Sequence, residues 1–122
     1  MKIDFIGDTN FLIYVLEGKE DVLPFLEFDF GVSFISEVEL LGYKGITKKD
    51  ENNIRNLISD CFLLEWNSTI KNKTIDLRRK YKIKLPDAII AATAIVYNSP
   101  LVTADEGYSK IKELDLISLK LN

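Results

Sequence analysis

Apolar and polar positions along this chain fall into short blocks whose period switches between two and about 3.6 residues, the signature of strands alternating with helices. Ile3-Asp4-Phe5-Ile6 reads as a first strand. It ends at Gly7-Asp8-Thr9-Asn10, where Asp, Thr or Asn can cap a helix running roughly from Asn10 to Leu16 and stopping at Gly18. The apolar residues Phe11, Leu12, Tyr14, Val15 and Leu16 cover most of that helix, as expected of one packed on a sheet. A short amphipathic piece, Val22 to Phe28, leads to a second strand at Val32-Ser33-Phe34-Ile35, closed by Ser36. Helical spacing resumes from Ser36 to Tyr43, and the polar stretch from Thr47 to Asn53 opens a further helix carrying Ile54, Leu57 and Ile58.

Phe62-Leu63-Leu64-Glu65-Trp66 predicts a third strand, and Asn67-Ser68 caps a helix whose apolar Ile70, Ile75 and Leu77 are surrounded by charge. Leu85-Pro86-Asp87 opens the most apolar helix, with Pro86 suited to its first position. Ser99-Pro100 breaks it. Leu101-Val102-Thr103 is then a fourth strand, Glu106 to Leu114 a short helix and Leu116 to Leu121 a last strand. This order predicts an α/β fold with a mainly parallel five-stranded sheet covered on both faces. At 122 residues the chain is expected to form one domain. No repeat, low-complexity tract or linker interrupts it.

Composition then narrows the chemistry. The chain has no His, which removes Ser-His-Asp and Cys-His catalysis and any His-ligated zinc. One cysteine, Cys61, supports neither an internal disulfide nor a Cys-rich metal site and reads as a small apolar residue. A bound metal must be held mainly by oxygen, which favours Mg²⁺ or Mn²⁺. The first residues carry an acid, Asp4, inside the apolar stretch with no apolar core of a leader behind it, so no targeting segment is read and a cytoplasmic location is expected. The longest apolar tract, Leu85 to Val96, contains Pro86 and Asp87 and is too short to cross a bilayer.

Ligands of parallel α/β sheets bind beyond the carboxyl ends of the strands, and in this chain those positions are acidic. Asp8 follows strand one, Glu37 and Glu39 follow strand two, Asp105 follows strand four, and Asp87 begins the helix leading into strand four. Crowded carboxylates resist ionisation unless a cation neutralises them, and hard divalent ions are their natural partners. Such a site suits phosphodiester cleavage, in which one or two ions activate water and steady the leaving oxygen without any His. Each acid also has a purely structural reading. Asp8 fits a helix N-cap, and Ser36-Glu37-Val38-Glu39 fits a capping box in which Glu39 reaches back to the Ser36 amide. Asp87 suits the dipole of a first helical turn, and Asp105 suits a turn.

Taken in order, Asp8-Thr9-Asn10, Ser36-Glu37-Val38-Glu39-Leu40-Leu41-Gly42, Leu85-Pro86-Asp87-Ala88-Ile89-Ile90-Ala91-Ala92-Thr93-Ala94 and Leu101-Val102-Thr103-Ala104-Asp105 resemble the four motif segments of PIN domains, over nearly the whole chain. The resemblance implies a three-layer α/β/α nuclease domain that binds Mg²⁺ or Mn²⁺. In size it is most similar to the toxin ribonucleases of VapBC-type toxin–antitoxin pairs, which cut RNA and are silenced by a small antitoxin. Carried over position by position, Asp8, Glu39, Asp87 and Asp105 are the metal-binding acids, with Asn10, Ser36 and Thr103 as polar supports. Many relatives carry one more acid two residues beyond the last, where this chain has Gly107 before Tyr108. That departure leaves one-metal and two-metal occupancy both open.

The net charge of −3 conceals a basic strip, Lys71, Lys73, Arg78, Arg79, Lys80, Lys82 and Lys84, opposed only by Asp76 and accompanied by Tyr81. It reads either as an RNA-backbone contact beside the acids or as a solvated helix face. The apolar concentration of Phe11, Tyr14, Leu16, Val22, Phe25, Leu26 and Phe28 serves core, a second copy of the chain or an antitoxin. Two other readings stand beside the nuclease. A degenerate PIN-like module would bind RNA or protein without catalysis. A phosphatase of the haloacid-dehalogenase type would need a second Asp where Asn10 stands, and a phospho-accepting receiver domain would need an acid in place of Trp66-Asn67-Ser68.

Overall fold

The computed structural model describes residues 2–121. Strands β1 (Phe5–Gly7), β2 (Phe30–Ser33), β3 (Phe62–Leu64), β4 (Leu101–Thr103) and β5 (Leu116–Ser118) form one sheet in the order β3-β2-β1-β4-β5, and every pairing is parallel. Helices α1 (Thr9–Leu16), α2 (Phe34–Leu41), α3 (Lys48–Ser59), α4 (Ser68–Lys80) and α5 (Leu85–Val96) connect them, with 3-10 helices at Glu20–Glu27 and Glu106–Lys110. The chain builds outward from β1 to β3 and then crosses back to place β4 on the other side of β1. The strand order therefore reverses between β1 and β4, the point where such sheets open a crevice.

Alternation along each strand divides the interior into two cores, because successive side chains leave opposite faces of a sheet. Phe5, Phe30, Val32 and Val102 pack under α1 and α3 with Phe11, Leu12, Ile54 and Ile58. Ile6, Leu64 and Leu101 pack on the other face with Ile70 and Leu77 of α4 and Ile90, Ala91 and Ala94 of α5. The first core is aromatic: Phe5 and Phe30 stack with ring centroids 5.0 Å apart, and Phe11 meets both edge-on. A Cβ at Gly7 would lie 2.5 Å from the Phe11 ring, so the residue just before Asp8 is glycine because the Phe11 ring lies over it.

Several boundaries differ from the sequence reading. Ile3 and Asp4 lie outside β1, although Asp4 is bonded to the start of β2 through Asp29, whose N–H donates to the Asp4 carboxylate at 2.9 Å. The second strand begins earlier and ends at Ser33, whose hydroxyl accepts from the Ile35 N–H and caps α2. Phe34 and Ile35 are helical in spite of their strand-like side chains, since tertiary packing outweighs local propensity. Strand β3 stops at Leu64, leaving Trp66 exposed with its ring against Phe34. Pro86 stands second in α5, after Leu85, and Ile75 is exposed on α4. The predicted helix from Glu106 to Leu114 is a 3-10 turn only, and β5 ends at Ser118.

The Cys61 thiol is half-buried, donates to the Leu57 carbonyl and is pushed up to about 12 by burial and by Asp60. Of the early apolar group, Phe11 and Val22 are core, whereas Leu16, Leu26 and Phe28 are exposed. No helix of the described residues is long and apolar enough to cross a membrane.

Candidate functional site

The sharp end of β1 leads directly into α1, and Asp8 stands at that junction as the helix N-cap. Its carboxylate is almost wholly buried; Oδ1 accepts from the Phe11 N–H at 2.8 Å and Oδ2 from the Thr103 hydroxyl at 2.5 Å. Thr103 ends β4, the neighbour across the reversal of strand order, so this bond spans the crevice. The same Thr103 oxygen accepts from the Asp105 N–H at 2.9 Å, and Asp105 in turn caps the second 3-10 helix through Gly107 N–H at 2.8 Å. Asp8, Thr103 and Asp105 thus form one hydrogen-bonded chain.

Glu39 comes from α2. Its Oε1 accepts from the Thr9 hydroxyl at 2.8 Å, and the Thr9 oxygen lies 2.8 Å from the fully buried Ser36 hydroxyl. With Thr9 donating to the carboxylate, Ser36 must donate to Thr9. The capping box expected at Ser36 does not form, because α2 starts at Phe34 with Ser33 as its cap and Ser36 is already one turn inside it. Asp87 lies in the first turn of α5, and its Oδ1 accepts from the Tyr108 hydroxyl at 3.2 Å.

All four of these acids line one cleft of about 760 Å³, together with Thr9, Asn10, Tyr43, Asp50, Glu17 and Tyr108. Glu37 does not line it. Asn10 is exposed at the cleft and has no hydrogen bond to the acids among the described residues; Thr9, one position earlier, makes the contact instead. Thr9, Tyr108 and Asp50 were not singled out from sequence. Thr9 and Tyr108 each sit inside or beside a motif segment, and hydroxyl-bearing neighbours of the acids were the available signal. Asp50 gave none, since its first-turn position on α3 reads as an ordinary dipole complement.

Electrostatics in the cleft are those of under-neutralised carboxylates. Burial raises the Asp8 carboxyl above its ordinary range, against the lowering effect of the Thr103 and Phe11 hydrogen bonds, and the charges of Asp105 and Asp87 raise it further. The Tyr108 phenol is raised by burial first and then by Asp87, Asp8 and Asp105, so it remains a proton-bearing donor. The donor set is all oxygen, which fits Mg²⁺ or Mn²⁺. Among the described residues no group of three or more His, Cys, Asp or Glu side chains is drawn together closely enough to hold a metal ion.

Gly107 stands against the Asp105 carboxylate. A Cβ there would stand 3.0 Å from Asp105 Oδ1, and the Gly107 N–H is the donor to that oxygen.

The basic strip separates into parts. Lys82 and Lys84 line a second groove of about 480 Å³ that shares Asp87, Asp105 and Tyr108 with the cleft, and Lys110 joins them there. Lys73 and Lys80 face Asp76 at 3.6 and 3.3 Å, and Lys80 also reaches Glu113 at 3.2 Å. Arg78 donates to the Ile83 carbonyl just past the end of α4. Lys71 and Arg79 are exposed on α4. Tyr81, considered as a stacking surface, donates instead to Glu113 at 2.5 Å.

Comparison with known proteins accords with this geometry. A toxin–antitoxin complex from Klebsiella pneumoniae contains a chain 28% identical, with a TM-score of 0.82, the match covering 97% of this chain and 99% of that one. The VapBC2 complex from Rickettsia felis, bound to a promoter DNA fragment, matches with a TM-score of 0.84 at 19% identity over 95% of this chain and 98% of that one. DNA-bound VapBC from Salmonella typhimurium matches with a TM-score of 0.82 at 20% identity over 96% and 98%. No curated protein matches significantly. The PIN domain profile matches residues 6–114, and the chain belongs to the PIN domain family.

Proposed function

We propose that this protein is a Mg²⁺- or Mn²⁺-dependent endoribonuclease and the toxin of a toxin–antitoxin pair. The observation that carries the reading is the meeting of Asp8, Glu39, Asp87 and Asp105, from four separate segments, along one cleft of a PIN domain. These acids hold the divalent cation. When bound, the cation supplies the charge that activates a water for attack on phosphorus and steadies the leaving 3′ oxygen. Thr103 and the Phe11 N–H keep Asp8 aimed, and Ser36 and Thr9 keep Glu39 in place. Lys82 and Lys84, with Lys110 beside them, hold the RNA backbone where the groove meets the acids.

A small antitoxin is the proposed regulator, supported by likeness to chains found in toxin–antitoxin complexes. The exposed Leu23 and Leu26 of the first 3-10 helix and Phe28 just after it offer it, or a second copy of the chain, an apolar contact. The rival reading is a PIN-like binding module without catalysis, favoured by the finding that no group of three or more acids among the described residues is drawn together closely enough to hold a metal ion.

Cleavage of a pool of structured RNAs with Mg²⁺, with Mn²⁺ and with EDTA tests the proposal. Metal-dependent cutting by the wild type that is absent from Asp8→Asn is expected. Intact RNA together with no heat of metal binding would transfer the reading to the binding module.

A further inference from the structure

The acids of the cleft are not held equally. Asp8 has two donors, at 2.8 and 2.5 Å, Glu39 has the Thr9 hydroxyl at 2.8 Å, and Asp105 has the Gly107 amide at 2.8 Å. Among the described residues, the Asp87 side chain has the Tyr108 hydroxyl alone, at 3.2 Å. Tyr108 is itself well anchored: only 3% exposed, its ring belongs to the core formed by Ile90, Ala91 and Ile111. The same residue lines both the acidic cleft and the basic groove. Its hydroxyl therefore joins the 3-10 turn that follows Asp105 to the first turn of α5, which carries Asp87.

We infer that Tyr108 is a positioning residue for the cation site, whose phenol fixes one Asp87 oxygen and leaves the other free for the ion. This rests on the reading of Asp87 as a metal-holding acid. Burial alone does not ask for the hydroxyl, since phenylalanine fills the ring volume without donating. Partners that orient a ligating carboxylate typically affect metal affinity by about 10–100-fold, and the single 3.2 Å bond points to the lower end.

The test is Mn²⁺ affinity by calorimetry for wild type, Tyr108→Phe and a variant with 4-aminophenylalanine in place of Tyr108, which restores a donor. Binding about tenfold weaker in Tyr108→Phe, recovered by the amino variant, is expected; mere loss of packing would not follow the donor. Wild-type affinity in a folded Tyr108→Phe overturns the inference, and so does equal weakening in the amino variant. If Tyr108→Phe melts early, 4-aminophenylalanine is compared with 4-methylphenylalanine at the same position, alike in size and differing in the donor; equal Mn²⁺ affinity then overturns it. RNA left intact by Mn²⁺-saturated wild type removes the nuclease reading while the binding comparison still decides the role of Tyr108. A wild type that binds no Mn²⁺ removes both.

Discussion

The two sides of the cleft are built on different principles. On the acidic side each of the four acids accepts at least one hydrogen bond: from Thr103 and Phe11 to Asp8, from Thr9 to Glu39, from Gly107 to Asp105 and from Tyr108 to Asp87. On the basic side Lys82, Lys84 and Lys110 are exposed at the ends of long stems; among the described residues the fixed contact is Lys110 donating to the Lys82 carbonyl. Hydrogen-bonded carboxylates, of which Asp8 is buried while Glu39 and Asp105 are exposed, suit chemistry that depends on position, whereas hydrated ammonium groups suit a backbone of repeating charge met in many conformations. On the proposed function, geometry is thus concentrated where the phosphodiester would be cut, and charge without geometry where the RNA would be held.

Substitutions on the acidic side should produce the largest effects. Asp8→Asn is expected to lower metal-dependent RNA cleavage by at least about 100-fold, the lower range for removing one preorganised electrostatic group. Folding should respond in the opposite sense. The folded Asp8 carboxyl titrates above its ordinary value of 3.8, chiefly through burial. Between those values the folded state keeps a proton that the unfolded state has lost, so stability falls as pH rises through the window and the penalty is complete above it. In EDTA, the melting temperature of Asp8→Asn relative to wild type should therefore be more favourable at pH 7 than near pH 4. A pH-independent difference would refute burial as the cause.

Next in size is the hydroxyl that connects two acids. Thr103→Val keeps the shape of a nearly inaccessible side chain but removes the donor to Asp8 and the acceptor for the Asp105 N–H. Buried hydrogen bonds to charged groups contribute about 1.5–3 kcal/mol, so urea denaturation should show destabilisation of about 2 kcal/mol together with reduced cleavage. An unchanged midpoint would mean that water replaces both bonds.

How far this arrangement could be read from the sequence follows the same division. The parallel sheet, the position of β4 and the cleft-lining acids follow from strand ends and ordered motifs, since an acid after a short apolar block has a fixed topological address. The hydroxyl partners were less legible. Thr9 points to Glu39 only because α1 and α2 lie side by side, and Ser36 lost its expected capping role because the aromatic and β-branched Phe34-Ile35 disguised the start of α2. The basic strip was legible as charge but not as function, because the partners that divide it are distant or irregular. Glu113 lies beyond β4, and Lys110 enters the groove from the second 3-10 helix.

That division makes the smallest expected effects the most discriminating. Lys84→Ala should weaken RNA binding several-fold and reduce the salt slope by about 0.7 for each single-strand phosphate that is no longer neutralised, measured by fluorescence anisotropy at several salt concentrations. Lys80→Ala removes the same formal charge from the same strip, but Lys80 is engaged by Asp76 and Glu113 and lines neither cavity. Its removal should leave both affinity and salt slope at wild-type values. An equal reduction of slope in the two variants would mean that RNA follows α4 as a uniform stripe of charge, and the distinction between a held phosphate path and a solvated helix face would disappear.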